Sequence, residues 1–220
     1  MPKIKAAPFW HVYLIAETSR EDESIKNHIL ECVQGGVTAV QLRLKGKSFD
    51  HRLALGKLLK PELQRLGIPL IVNDSLELAQ AVGADGLHVG KTDVSIQVAR
   101  DTLGPAAFLG LSVGLHDAFE TVPYPLVDYI AASPVFSTPT KADAGYPFGL
   151  AKLQQLCRIS RVPVVAIGGL NLLNAPTCIQ AGAGGLALVT ALMESPAPHK
   201  DAAKWAALWR TKSSFCGPPP

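Results

Sequence analysis

The sequence predicts a (β/α)₈ barrel, and three observations lead there. The chain has 220 residues, the length of one domain large enough to bury about two-thirds of its surface on folding. Short apolar stretches alternate with longer stretches of helical periodicity, and they do so eight times. The apolar stretches are continuous rather than alternating, as parallel strands covered by helices must be. A long open sheet is the other arrangement that eight such units allow. No linker divides the chain, and no short repeat exceeds the alternation itself. Residues 1–212 are therefore expected to form one domain. Residues 213–220, ending Gly217-Pro218-Pro219-Pro220, are expected to be a flexible tail.

Each element has a local reason. Residues 11–16 are the first strand; Lys3 and Lys5 precede it, but no apolar run of signal-peptide length follows. A helix over 24–34 puts Ile25, Ile29, Leu30 and Val33 on one side, and Gly35 and Gly36 stop it. Residues 37–42 are the second strand. A long helix over 49–66 closes at Gly67, and residues 69–72 are the third strand. Ser75 caps a short helix through Val82; Gly83 then turns the chain into strand 86–89. Thr92 or Asp93 starts a helix that ends near Leu103, before strand 107–111. Residues 116–122 are only weakly helical, because Pro123 and Pro125 follow. Strand 127–131 leads into a loop over 133–147 rich in Pro, Thr, Lys and Gly. Helix 150–159, strand 163–167, helix 171–181, strand 185–189 and a final helix over 200–211 complete the series.

Composition narrows the function classes. Apolar types make up 48% and charged types 18%, which excludes a disordered chain. The net charge is only +3, from 21 basic and 18 acidic side chains, so nothing favours nucleic acid. No apolar run approaches a membrane span. Cys32, Cys157, Cys178 and Cys216 form no C-x-x-C pair, which argues against a zinc ribbon or redox motif and for a reduced, cytoplasmic chain. A homo-oligomer is compatible with exposed helix faces, although Trp205 and Trp209 are equally suited to packing within their own chain.

In such a barrel ligands sit at the C-terminal ends of the strands, so polar residues there are the first candidates. The second strand runs into Gln41, Arg43 and Lys45, whose spacing of two sets them on one side. Two cations there can hold a multiply charged oxyanion, Arg as a planar fork and Lys as a compact charge; Gln41 can orient a polar heterocycle. Asn73 and Asp74 follow the third strand, and Asp93 follows the fourth. Two carboxylates beside a diphosphate make an oxygen-rich site suited to Mg²⁺, although each acid also reads as a helix cap. His88 lies inside an apolar strand and suits a hydrogen-bonded core imidazole better than a metal ligand. Ser112, after the fifth strand, can donate to phosphate or substrate; no G-x-S-x-G elbow surrounds it. Thr138, Thr140 and Lys141 combine hydroxyls with an ammonium in a loop long enough to act as a lid. Gly168, Gly169 and Thr190 stand beyond strands seven and eight, the usual phosphate site of this fold. Two anion sites result, which predicts two phosphorylated substrates or one molecule with two phosphate ends.

Together these residues resemble the thiamine-phosphate synthase family. The matching strings are Gln41-Leu-Arg-Leu-Lys45, Ile71-Val-Asn-Asp74, Gly86-Leu-His-Val-Gly-Lys-Thr-Asp93, Pro134-Val-Phe-Ser-Thr-Pro-Thr-Lys141 and Ala166-Ile-Gly-Gly169, in order, from about Tyr13 to Leu192. The resemblance implies a (β/α)₈ barrel and a Mg²⁺-dependent transferase. It joins 4-amino-5-hydroxymethyl-2-methylpyrimidine diphosphate to 4-methyl-5-(2-hydroxyethyl)thiazole phosphate, releasing diphosphate. It implies that Gln41 contacts the pyrimidine and that Arg43, Lys45, Asn73 and Lys141 hold the diphosphate. Asp74 and Asp93 would bind Mg²⁺, and Ser112 would help at the leaving group. Thr138, Thr140, Gly168, Gly169 and Thr190 would hold the thiazole phosphate. It also implies a dissociative course through a pyrimidine-methyl cation, with no general base and with the 133–147 loop closed against water.

Several positions depart from the family pattern: Ala16-Glu17 for Thr-Asp, Lys91 for Gln, Ser133 for Gly, His116 placed late, and Thr190 for Ser. Lys91 would either repel the metal or bind diphosphate itself. The close rival is a TenI-like thiazole tautomerase, which carries a catalytic His in the sixth-strand loop; here that loop keeps Thr138-Pro-Thr-Lys141. A sugar-phosphate isomerase or aldolase leaves Arg43, Asp74 and Asp93 unused, and a binding-only regulator leaves the acid pair unexplained.

Overall fold

Parallel strands in sequence order, each returning through a segment on the outside, close the sheet on itself. The computed structural model describes residues 10–17, 22–138 and 146–210. Its strands are β1 (Val12–Ala16), β2 (Ala39–Leu42), β3 (Leu70–Asn73), β4 (Gly86–Val89), β5 (Phe108–Val113), β6 (Tyr129–Ala132), β7 (Val164–Ile167) and β8 (Gly185–Leu188). They form a closed barrel in that order, all neighbours parallel, with Val12 of β1 opposite Leu186 of β8. The open-sheet alternative is thereby excluded. The helices are α1 (Asp22–Gln34), α2 (Phe49–Arg65), α3 (Leu76–Val82), α4 (Ile96–Leu103), α5 (Gly149–Ile159), α6 (Ala175–Gln180), α7 (Thr190–Met193) and α8 (Pro198–Arg210).

The differences from the sequence expectation have local causes. Between β5 and β6 the weak helical stretch shrinks to a 3-10 turn, Phe119–Thr121, ahead of Pro123. Helix α4 is capped by neither Thr92 nor Asp93; Ser95 accepts the Val98 N–H at 3.3 Å. Helix α6 starts four residues later than expected. The Asn171 side-chain oxygen takes the N–H groups of Leu173 and Asn174 at 2.9 and 3.0 Å, offering the backbone a turn in place of a helix. Ser112 lies within β5 rather than beyond it, and the one-turn α7 after β8 had no sequence signal. The expected tail lies outside the described residues.

Two apolar layers hold the structure. The outer one packs the helices against the sheet and includes Leu55, Leu59 and Leu63 of α2. Trp205 and Trp209 also belong to it, buried against their own chain. The inner one fills the lower barrel with Trp10, Tyr13, Ile71 and Tyr129. Trp10 lies on Tyr129 with ring centroids 4.0 Å apart, and Tyr13 meets Tyr129 edge-on at 5.7 Å. Rings this large fit because facing positions are small. A Cβ on Gly110 would lie 2.1 Å from Cζ of Tyr129.

Cys32, Cys157 and Cys178, on α1, α5 and α6, form no disulfide with one another. Burial pushes the Cys32 thiol up to about 12 and the Cys178 thiol up to about 11, so neither is a thiolate near neutrality. Cys216 lies outside the described residues. Among the described residues no helix is long and apolar enough to cross a membrane.

Candidate active site

With aromatic rings filling the lower barrel, the space left lies above them. A cavity of about 1000 Å³ opens at the C-terminal ends of the strands. Gln41, Arg43, Lys45, Asn73, Asp74, Asp93, Ser112, Thr138, Gly168, Gly169 and Thr190 all line it. The structure thus brings the described candidates of both expected anion sites into one chamber. Thr140 and Lys141 lie outside the described residues.

The acids are placed by the turns that leave β3 and β4. Asp74 has φ 64°, the only positive φ at a non-glycine position among the described residues. That backbone costs about 1–2 kcal/mol for a residue with a Cβ. Ser75, not Asp74, caps α3, accepting the Leu78 N–H at 3.1 Å. Asp93 does not cap α4 either, and its Oδ2 accepts the Gly90 N–H at 2.7 Å within its own loop. The cap reading therefore fails for both acids. The two carboxyls are near enough for Asp93 to act on Asp74. Burial, then the neighbouring Asp93 carboxyl, push the Asp74 carboxyl up to about 6; Lys45 and Arg43 pull the other way. Two carboxylates this close, even with those cations nearby, lack positive charge between them. A hard divalent cation would supply it.

Two of the cations are already engaged by acids. Arg43 pairs with Glu17 beyond β1, both side chains mostly buried. Glu17 thus holds the guanidinium at the cavity wall. Lys91 pairs with Asp117, whose Oδ2 also accepts the Gly114 N–H at 2.7 Å. Its ammonium is countered by that acid and is 63% exposed, so its repulsion of a metal is screened. Lys91→Gln is therefore expected to change divalent-metal affinity by less than about threefold in calorimetric titration. A tenfold gain would show that the ammonium reaches the acid pair.

Beneath the cavity runs a line of polar side chains. Gln41 Nε2 donates to the Tyr13 hydroxyl at 2.8 Å, and that hydroxyl meets the Tyr129 hydroxyl at 2.8 Å. Tyr129 meets His88 Nδ1 at 3.0 Å, and His88 Nε2 meets Ser112 Oγ at 2.9 Å. His88 is thus the satisfied core imidazole expected. Burial drives both phenols well above their usual range, so they stay protonated. Sequence reasoning missed Tyr13 and Tyr129 because it counted them as strand filling. The available signal was the period of two, which puts Tyr13 with Ile15 and Tyr129 with Ala131 on the inner face.

At the other wall Gly168 has φ 99° and Gly169 φ 64°, and a Cβ on Gly168 would lie 2.6 Å from Cβ of Pro134. The nearest thing the missing side chains admit is the loop after β6, whose Val135 and Phe136 N–H groups donate to the carbonyls of Ile167 and Gly168 at 2.8 and 3.1 Å. The Ser133–Pro134 peptide in that loop is cis. Both glycines still face the cavity, across from the acids' strands.

Comparison with known proteins agrees with the fold. A family model described as thiamine monophosphate synthase matches residues 12–192. The chain is 39% identical over 201 residues to a thiamine-phosphate synthase of Syntrophomonas wolfei, covering 91% of this chain and 96% of that one. It is 45% identical over 171 residues to one of Albidiferax ferrireducens, covering 77% and 78%. The solved thiamine phosphate pyrophosphorylase of Pyrococcus furiosus superposes with a TM-score of 0.80 at 30% identity, covering 93% of this chain and 98% of that one.

Proposed function

We propose a residue-level course for the reaction of this chain, which belongs to the thiamine monophosphate synthase family and makes thiamine phosphate. The substrates are 4-amino-5-hydroxymethyl-2-methylpyrimidine diphosphate and 4-methyl-5-(2-hydroxyethyl)thiazole phosphate. Arg43 and Lys45 take the diphosphate, Arg43 exchanging its Glu17 partner for phosphate oxygens. Asn73 donates its amide to the same group, and Ser112 its hydroxyl near the leaving oxygen. Gln41 holds the pyrimidine against the floor. Thr138, Gly168, Gly169 and Thr190 receive the thiazole phosphate, with Thr140 and Lys141 assigned to the two phosphate groups by their place in the loop.

The C–O bond to diphosphate breaks first, and the pyrimidine amino group feeds electrons into the cation that remains. Arg43 and Lys45 offset the charge growing on the leaving group. The thiazole nitrogen then attacks the methylene carbon; it has no proton to lose, so no base is required. That fits a cavity whose His88 is already committed to Tyr129 and Ser112. Asp74 and Asp93 suit Mg²⁺, and when bound there it would supply further positive charge to the departing diphosphate. Described cysteines that form no disulfide with one another, and a net charge of only +3, are in keeping with a cytoplasmic enzyme.

One observation carries this reading: the neighbouring carboxyls of Asp74 and Asp93 share a single cavity with Arg43 and Lys45. The test is product formation from the two substrates, with Mg²⁺ and then with EDTA. Thiamine phosphate and diphosphate are expected together, with metal only. Equal turnover in EDTA would remove the metal role, and no product from folded protein would move the assignment to the thiazole tautomerase.

A further inference from the structure

The floor of the cavity is a single file of hydrogen bonds running from β2 through β1, β6 and β4 to β5: Gln41, Tyr13, Tyr129, His88, Ser112. Its two ends line the cavity, and its two phenols are fully buried. Each phenol has one proton and two neighbours in the file, so each must donate to one side and accept from the other. The file therefore has only two self-consistent polarities, and Gln41 distinguishes them. Its Nε2 donates to Tyr13. Tyr13 must then donate to Tyr129, and Tyr129 to Nδ1 of His88. The imidazole proton is thereby assigned to Nε2, which donates to Ser112 Oγ.

We infer that Tyr13, Tyr129 and His88 are positioning residues that fix the amide orientation of Gln41 and the hydroxyl direction of Ser112, and so select an aminopyrimidine over an oxopyrimidine. The inference rests on Gln41 being the pyrimidine contact. With one N–H of Nε2 held by Tyr13, the amide offers the cavity its Oε1 and its second N–H side by side. That is the complement of an amino group next to an unprotonated ring nitrogen. A 4-oxo ring presents the reverse, a carbonyl next to a ring N–H, and meets donor with donor and acceptor with acceptor. Ser112 accepts from His88, so its own proton is free to point at a ligand oxygen or nitrogen. A lone Gln41 could rotate its amide to suit either ring; coupled to four other groups, it can do so only if every proton in the file reverses.

The test compares the pyrimidine diphosphate with its 4-oxo analogue, measured as a competitive inhibitor. The unaltered enzyme is expected to favour the amino form by about 100-fold or more, the scale of a buried hydrogen-bonding edge left mismatched. Tyr129→Phe removes the acceptor for the Tyr13 proton and uncouples the two ends. It should raise the KM for the pyrimidine diphosphate about tenfold and bring the 4-oxo analogue to within about tenfold of the substrate. The KM for the thiazole phosphate should not move, whereas a general loosening of the barrel would raise both constants together. Tyr13→Phe, which takes away the Gln41 partner directly, gives the same result by a second route should Tyr129→Phe not fold. Unchanged discrimination in a folded variant, or a parallel rise in both KM values, overturns the inference. Gln41→Ala separates it from the reading beneath it. If that variant raises the pyrimidine KM while Tyr129→Phe does not, only the file is wrong. If neither moves it, the pyrimidine contact itself is wrong.

Discussion

Asp93→Asn is expected to lower kcat/KM with Mg²⁺ about 1000-fold, roughly 4 kcal/mol of transition-state stabilisation. The substitution is nearly isosteric. The amide oxygen can still accept the Gly90 N–H that Asp93 Oδ2 now takes at 2.7 Å, so the loop after β4 keeps its shape. What is lost is one of the two negative charges. Asp74 is pushed up to about 6 by burial and by Asp93, with Lys45 and Arg43 opposing. Without the Asp93 carboxylate, its upward influence disappears and Asp74 returns toward an ordinary carboxylate. The fold should therefore be no weaker, because a pair of like charges has been relieved. Calorimetric titration should show the loss of Mg²⁺ affinity, and thermal melting an unshifted or higher midpoint. Near-normal Mg²⁺-dependent turnover would sink the proposed role of the acid pair. A collapsed melting point would mean that Asp93 serves the loop rather than the metal.

Gly110→Ala should be severely damaging, although it adds only a single methyl group to the barrel interior. The added Cβ would lie 2.1 Å from Tyr129 Cζ, 2.3 Å from its hydroxyl and 2.5 Å from His88 Nδ1. None of these neighbours is a flexible chain end. The Tyr129 ring is backed by Trp10 at 4.0 Å and His88 at 5.5 Å, and its hydroxyl is held on both sides. Either β5 must move away from β6, breaking parallel pairing at Gly110 and Tyr129, or the ring must leave its place. A cost of about 3 kcal/mol or more follows, read as a lower urea midpoint and a melting temperature about 10 °C lower. An unshifted midpoint would show slack in a layer whose distances allow none.

The barrel was legible because its signals are local and repeated. Continuous apolar strands, the glycines at 67 and 83 and the serine cap at 75 each act within a few residues, and each held. The misplacements arose where a side chain offered the backbone a rival partner. Ser95 displaced Thr92 and Asp93 as a cap, and Asn171 held back α6. The candidate site was legible through its charges, which the strand ends carry into one cavity. What pairs with those charges was not legible. That Glu17 engages Arg43, and Asp117 engages Lys91, depends on loops distant in sequence meeting above the barrel. The polar floor was hidden for another reason. Tyr counts as apolar in a strand pattern, and only closure of the sheet brings Tyr13 to Tyr129, 116 residues away.

The stacking of Trp10 on Tyr129 gives the protein a built-in optical probe. The chain has three tryptophans. Trp205 and Trp209 belong to α8 in the outer ring, whereas Trp10 lies one ring from the hydrogen-bonded file beneath the ligand. With the two outer indoles replaced by phenylalanine, the remaining emission comes from the barrel floor. Substrate seating becomes visible as a change in fluorescence, in real time and without a label.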